Sequence, residues 1–219
     1  MSFNGQVNKI LKDMRTSNIK QKGDAGEEAV FAICEQIYQK HGGILVHSYS
    51  YKVDKELPGN IKKAENGKLY LEGLGATTEI DALYVSPYRV FPIEVKAYKS
   101  DKILLTDEGI EGTRVTNKSP IHQNEMHSRH LYSGIVNALP EGDERYIVPV
   151  CVFVDKCKLT DKRSDWQRDY ILAVTLNRFR KTVETNNTPL DFMLDINLVN
   201  KYLKQIETSS RKYLPPRFV

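Results

Sequence analysis

Asp81, Glu94 and Lys96 are the residues of this chain whose types and spacing could do chemistry together. They lie in two runs, Glu79-Ile80-Asp81-Ala82-Leu83-Tyr84-Val85 and Val90-Phe91-Pro92-Ile93-Glu94-Val95-Lys96, separated by Ser86-Pro87-Tyr88-Arg89. Runs rich in β-branched and aromatic residues around a Pro-containing turn predict a hairpin. Closure on Val85 and Val90 would set Leu83 opposite Pro92, Asp81 opposite Glu94 and Glu79 opposite Lys96. Strand side chains alternate, so those eight would share one face. Ile80, Ala82, Tyr84, Phe91, Ile93 and Val95 would take the other. Two close carboxylates share a proton or bind a cation. Two oxygen ligands for a hard divalent ion, with an ammonium beside them, suit phosphodiester hydrolysis. A surface charge ladder, with Glu79 paired to Lys96, is the plain alternative, and at this point both stand.

The elements around the hairpin bear on that choice. A helix is predicted from Ala25 to Lys40, closed by Gly42-Gly43, with Val30, Ile33, Cys34, Ile37 and Tyr38 as its buried stripe. Helical spacing puts Glu27 on the inward face, one turn before Val30, and Glu28 toward solvent. Glu27 has either a role at a site or the simpler one of complementing the helix dipole. Ile44 to Val53 reads as a strand. Ile61 to Leu71 centres on Asn66-Gly67, the signal of a tight hairpin, and is expected to form a ribbon whose lysines either meet phosphates or stay solvated. Ser119-Pro120 opens a helix with Ile121, Leu131, Ile135 and Leu139 as its apolar stripe. Gln123, His127, His130 and Gly134 fall on another face, which predicts a surface away from the core that meets a polar ligand. His127-x-x-His130 could also ligate a transition metal, and a plain exposed helix face is the alternative. Ile147 to Val154 is almost continuously apolar, as in a strand buried on both faces, and Tyr170 to Thr175 is read the same way. A helix from Leu176 to Val183 follows. Asp195 to Glu207 is a last helix, and the tail to Val219 is expected to be loosely ordered. Gln6 to Met14 is a short amphipathic basic helix that either packs on the body or touches a phosphate backbone.

Composition sets outer bounds. With 219 residues, 40% of them hydrophobic, the chain suits one globular domain with at most an appendage. No apolar run is long enough to span a membrane, and the start does not resemble a signal peptide. A cytoplasmic location without membrane attachment is expected. Cys34, Cys151 and Cys157 lack the paired spacing of a zinc site; the first two sit in apolar stretches, as buried thiols do. A formal net charge of +4 permits nucleic-acid binding without requiring it.

Taken in order, these motifs resemble the nuclease-related domain (NERD) of the PD-(D/E)XK nuclease superfamily. Gly23, Gly26 and Glu27 match its Gly-x-x-Gly-Glu. Glu79-Ile80-Asp81 and Glu94-Val95-Lys96 match its two central strands, and Pro120-x-x-Gln123 its later helix. The resemblance runs from Gly23 to about Leu139. It implies an α/β fold with a restriction-endonuclease-like mixed β-sheet flanked by helices on both faces. The core would be 23–185 with a β-ribbon insertion around 54–75, preceded by a helix in 1–22 and followed by a C-terminal helix and tail, 186–219, packed on it. It further implies a nuclease using Mg2+, with Mn2+ able to substitute, on nucleic acid and on DNA in preference, with a homodimer allowed. Asp81, Glu94 and the carbonyl of Val95 would be metal ligands, Lys96 the catalytic lysine, and Glu27 and Gln123 supporting residues. A non-catalytic nucleic-acid-binding module on the same fold is the alternative, since fold does not dictate activity. A partner-binding protein whose charges form a ladder is a third.

Overall fold

A computed structural model describes residues 19–52, 61–63, 69–71, 77–98, 100, 102–111, 119–154 and 157–219. The helix expected at Gln6 to Met14 and the tip of the ribbon lie outside them. Helix α1, Ile19–His41, leads into strand β1, Gly43–Lys52. The short strands β2, Ile61–Lys63, and β3, Leu69–Leu71, pair antiparallel with Lys62 opposite Tyr70. The central hairpin is β4, Thr77–Val85, and β5, Val90–Lys96. Strands β6, Lys102–Thr106, and β7, Gly109–Glu111, precede helix α2, Pro120–Ile135. Then follow β8, Val150–Phe153, β9, Lys158–Asp161, α3, Asp165–Tyr170, β10, Leu172–Thr175, and α4, Leu176–Asn186. The chain ends with α5, Ile196–Ile206, β11, Glu207–Ser209, and β12, Lys212–Arg217.

Among the described residues the main sheet has seven strands in the order β10-β8-β5-β4-β1-β11, with β12 also on β1. It is mixed. β5, β8 and β10 run parallel, whereas β4, β1, β11 and β12 pair antiparallel. Helices cover both faces. On one, α1 and α4 bring Val30, Cys34, Ile37, Phe179 and Val183 onto Ala82, Tyr84, Phe91, Ile93 and Val152. On the other, α2 and α5 bring Leu131, Ile135, Val199 and Leu203 onto Val46, Leu83, Val85 and Val90. Each such fully buried aliphatic or aromatic side chain contributes about 1.5–3 kcal/mol of transfer free energy. A smaller sheet, β7-β6-β9, packs Ile103 and Leu105 against Ile121, Cys151 and Phe153.

β8 is buried throughout, as an apolar run flanked by parallel neighbours should be. β10 differs from the expectation. It is the sheet's edge strand and only half-buried. The tail also differs: β11 and β12 both pair with β1. Pro215 and Pro216 are tolerated there because an edge strand spares its outer N–H groups.

The hairpin has the expected register near its turn, with Val85 opposite Val90 and Leu83 opposite Pro92. Further along, the alternation slips. Leu83 and Val85 face α2 and α5, but so does Ile80, which strict alternation puts with Ala82 and Tyr84. β1 slips at the same level: Ile44 and Val46 share that face with Tyr49 and Tyr51. Between the slips, Ser48 and Asp81 drop out of the β1–β4 ladder, which runs from His47–Ala82 to Tyr49–Ile80. Ser48 takes a left-handed backbone conformation, φ 51°. That conformation costs a non-glycine residue about 1–2 kcal/mol. The distortion is therefore shared by two neighbouring strands and lies beside Asp81.

Candidate active site

Asp81 does not pair with Glu94 across the ladder, because the β4–β5 pairing ends at Ala82 and Ile93. Its side chain takes over the next backbone donor instead. The Val95 N–H donates to Asp81 Oδ2 at 2.7 Å. This bond pins the Asp81 carboxylate to the segment that carries Glu94 and Lys96. Irregularities of this kind re-aim side chains beside sites. Glu94 is 1% exposed and follows the parallel β5–β8 register opposite Cys151. Its Oε1 contacts Lys96 Nζ. Its Oε2 lies 3.4 Å from Nδ1 of His127 on α2.

The charge ladder is not formed. Lys96 pairs with Glu94 and not with Glu79. Glu79 instead accepts from Ser50 Oγ at 3.0 Å, its partner across β1 and β4.

The electrostatics follow from burial and crowding. Burial pushes the Asp81 carboxyl up to about 8, and Glu94 pushes the same way, while the Val95 N–H and Lys96 oppose them. Burial also raises Glu27, against the pull of Arg211, with Asp24, Glu79 and Glu94 adding to the rise. For Lys96 burial favours loss of the proton, but Glu94 and Asp81 outweigh it and hold the ammonium above its ordinary value. Lys96 thus stays charged at neutral pH.

Glu27 sits on α1 one residue past Gly26, where the helix crosses the end of β8. A Cβ at Gly26 would lie 2.8 Å from Val154 Cγ2. The helix starts earlier than expected and runs through both Gly23 and Gly26. A helical Gly costs about 1 kcal/mol, and at Gly26 the close approach to Val154 is the reason for it. No hydrogen bond or ion pair joins Gln123 to Asp81, Glu94 or Lys96 among the described residues. It is half-buried on α2, one turn before His127 on the same face.

That face is not the polar surface expected. His127 is buried, and at Gly134 a Cβ would meet Ile206 of α5 at 2.6 Å. The helix lies between the sheet and α5, so its covered arc is wider than the apolar stripe and takes in Asn124, His127 and Ser128. Two residues near the acids were not assigned to the acidic site from sequence. His127 had a signal, its helical spacing from Gln123. Arg211 of the C-terminal edge strand, 3.6 Å from Glu27, had none, being remote in sequence.

Among the described residues no group of three or more His, Cys, Asp or Glu side chains could hold a metal ion. A hard ion such as Mg2+ asks for less, since one or two carboxylates and several waters suffice. Glu94 Oε2 is buried and makes no hydrogen bond, with His127 Nδ1 3.4 Å away as its neighbour, a costly state for a carboxylate oxygen and one that a cation would relieve. Glu94 and the nearby Asp81 offer the carboxylate oxygens that a hard divalent ion prefers, with His127 Nδ1 as the neighbouring nitrogen.

The family model described as nuclease-related domain matches residues 22–154, more than half of the chain. The chain belongs to the nuclease-related domain family. The match takes in Glu27, Asp81, Glu94, Lys96 and Gln123 and ends beside β8, so α3, α4, α5 and the β11 and β12 edge strands of this nuclease-related protein lie beyond it. No curated protein and no solved structure matches it. Among the described residues, no helix is long and apolar enough to cross a membrane.

Proposed function

We propose that this nuclease-related protein is a divalent-metal-dependent nuclease with a restriction-endonuclease-like core, hydrolysing phosphodiester bonds in nucleic acid, DNA in preference. The observation that carries the reading is the bond from Val95 N–H to the Asp81 carboxylate. It draws an acid of β4 to the stretch of β5 that holds a second acid and a lysine. A structural protein has no use for this crowding, because it lifts the Asp81 carboxyl to about 8 at a cost in stability.

Asp81, Glu94 and the Val95 carbonyl would hold the ion, Mg2+ with Mn2+ able to substitute. The ion supplies Lewis-acid stabilisation of phosphate charge and makes water a better nucleophile. Lys96 keeps its proton and offers an ammonium to the charge that builds on phosphate oxygens in the transition state. Its contact with Glu94 fixes that ammonium beforehand, so little reorganisation is needed. Glu27 supplies a further acid from α1 for a water or a second ion. Gln123 supplies an amide from α2 to orient phosphate.

The test is a cleavage panel of linear, circular, single-stranded and branched DNA with Mg2+ or Mn2+, with RNA alongside. Lys96→Ala and Asp81→Ala are expected to lose cleavage by about 10² or more while keeping the wild-type circular dichroism spectrum. Full Mg2+-dependent cleavage by purified Asp81→Ala would rule the assignment out. Salt-sensitive binding with no cleavage in either metal would instead support a non-catalytic nucleic-acid-binding module.

A further inference from the structure

A polyanion approaching this site meets four acids, with Glu79 and Glu94 near enough to act on Glu27, and Glu94 and Glu27 near enough to act on Asp81. Lys96 is already committed to Glu94. A second cation reaches the cluster from outside the family-matched stretch. Arg211 lies at the break between β11 and β12, which follow one another along the same edge of β1, and its backbone N–H donates to the His47 carbonyl at 2.9 Å. This edge strand is held on β1 on both sides of the break, by Ser209 opposite Ser50 and Lys212 opposite His47. These anchors flank Ser48, the residue at which β1 kinks beside Asp81. The Cα of Arg211 is thus fixed against the distorted part of the sheet.

Its guanidinium is held loosely. Nη1 stands 3.6 Å from Glu27 Oε2 and 3.6 Å from Glu28 Oε1, and 3.5 Å from His47 Nε2. All three are at or beyond the limit of a hydrogen bond. The side chain is 48% exposed. Arg163 is the contrast: it grips Asp161 with Nε at 2.9 Å and Nη2 at 2.7 Å, and is buried. Surface pairs as open as those of Arg211 stabilise a fold by about 1 kcal/mol at most, so neutralising Glu27 and Glu28 is a weak reason for the residue. A guanidinium has five donors in a planar fork that matches phosphate. Exchanging three long contacts for phosphate oxygens costs little and gains charge-assisted bonds.

We propose that Arg211 is a phosphate ligand of the nucleic acid, delivered to the acidic site by the C-terminal edge strand. The inference rests on the nuclease reading and names a residue through which the substrate backbone is gripped. It predicts that the family core recruits its substrate with a residue that the core itself lacks.

Binding of a labelled DNA duplex, measured by fluorescence anisotropy in chelator across a salt series, tests this without any cleavage. Arg211→Ala is expected to bind about tenfold more weakly, with the slope of log affinity against log salt smaller by about 0.9. Arg211→Lys should recover part of the affinity, because a lysine supplies charge without the fork. Arg145→Ala, which removes an exposed cation near Arg89 at the β4–β5 turn, should match wild type within about twofold. The unfolding midpoint of Arg211→Ala should stay within about 2 °C of wild type, as for loss of a surface pair. Unchanged affinity and slope in Arg211→Ala would overturn the proposal, as would a loss that tracks a lowered midpoint. If wild type binds neither DNA nor RNA, the nuclease reading itself fails, a result distinct from selective failure at Arg211.

Discussion

Asp81 has a distinctive titration in this protein. Its carboxyl is pushed up to about 8 when folded, against an ordinary value near 3.9 in the unfolded chain. The folded state therefore binds more protons than the unfolded state between those values. Stability of the metal-free protein must fall as pH rises through that window. Asp81→Asn keeps an oxygen for the Val95 N–H and cannot ionise. It should stabilise the metal-free protein by about 1–3 kcal/mol near pH 9 and leave it little changed near pH 4, as read by denaturant unfolding at each pH. Equal stability of wild type and variant at both pH values would remove the strain assigned to this acid. Protons and a cation compete for the same carboxylate, so Mg2+ should raise the melting temperature more at pH 9 than at pH 6.

Helix α1 and strand β1 position the acids by compromise. Gly26 leaves α1 only 2.8 Å between a would-be Cβ and Val154. Gly26→Val should push the helix off β8, destabilise the protein by about 1–3 kcal/mol and lower cleavage by moving Glu27. In β1, Ser48 holds φ 51° with its Oγ buried and unpartnered. Ser48→Gly removes both costs and should stabilise the protein by about 1 kcal/mol with cleavage retained, measurable by urea unfolding and a nicking assay. Much of this layout was readable from residue types. The Leu83–Pro92 register, buried β8 and the inward face of Glu27 all follow from periodicity and turn chemistry. The paired slip at Ser48 and Asp81 does not, because alternation in one strand carries no sign of a distortion its neighbour shares. The burial of His127 was also hidden. Its neighbours come from distant strands, Glu94 of β5 at 3.4 Å and Tyr51 of β1, whose hydroxyl donates to the His127 carbonyl at 2.8 Å.

Across the whole molecule, the chain closes on itself in a way its tail does not advertise. Pro215 and Pro216 read as a loose end, yet β12 lies along β1, and Tyr38 of α1 donates its hydroxyl to the Pro215 carbonyl at 2.8 Å. Long-range strand pairing of this kind leaves little local signature, since the partner lies far back in sequence. Removing residues 207–219 would bare the outer edge of β1. The truncated chain should lose about 3 kcal/mol or more and aggregate through that edge, visible as a lowered unfolding midpoint and as light scattering. Loss of Arg211 with the same segment would weaken nucleic-acid binding as well. The sheet, its two helical layers and this terminal strap are therefore arranged around one end of β4 and β5, where the acids meet.

Titration of Mn2+ into wild type, Asp81→Asn and Glu94→Gln near pH 9, followed by calorimetry, examines that meeting point most directly. Wild type should bind the ion, and each variant should bind at least about tenfold more weakly, since each loses one of two carboxylates. Undiminished binding in both variants, or none in wild type, would contradict a metal-dependent site at Asp81 and Glu94.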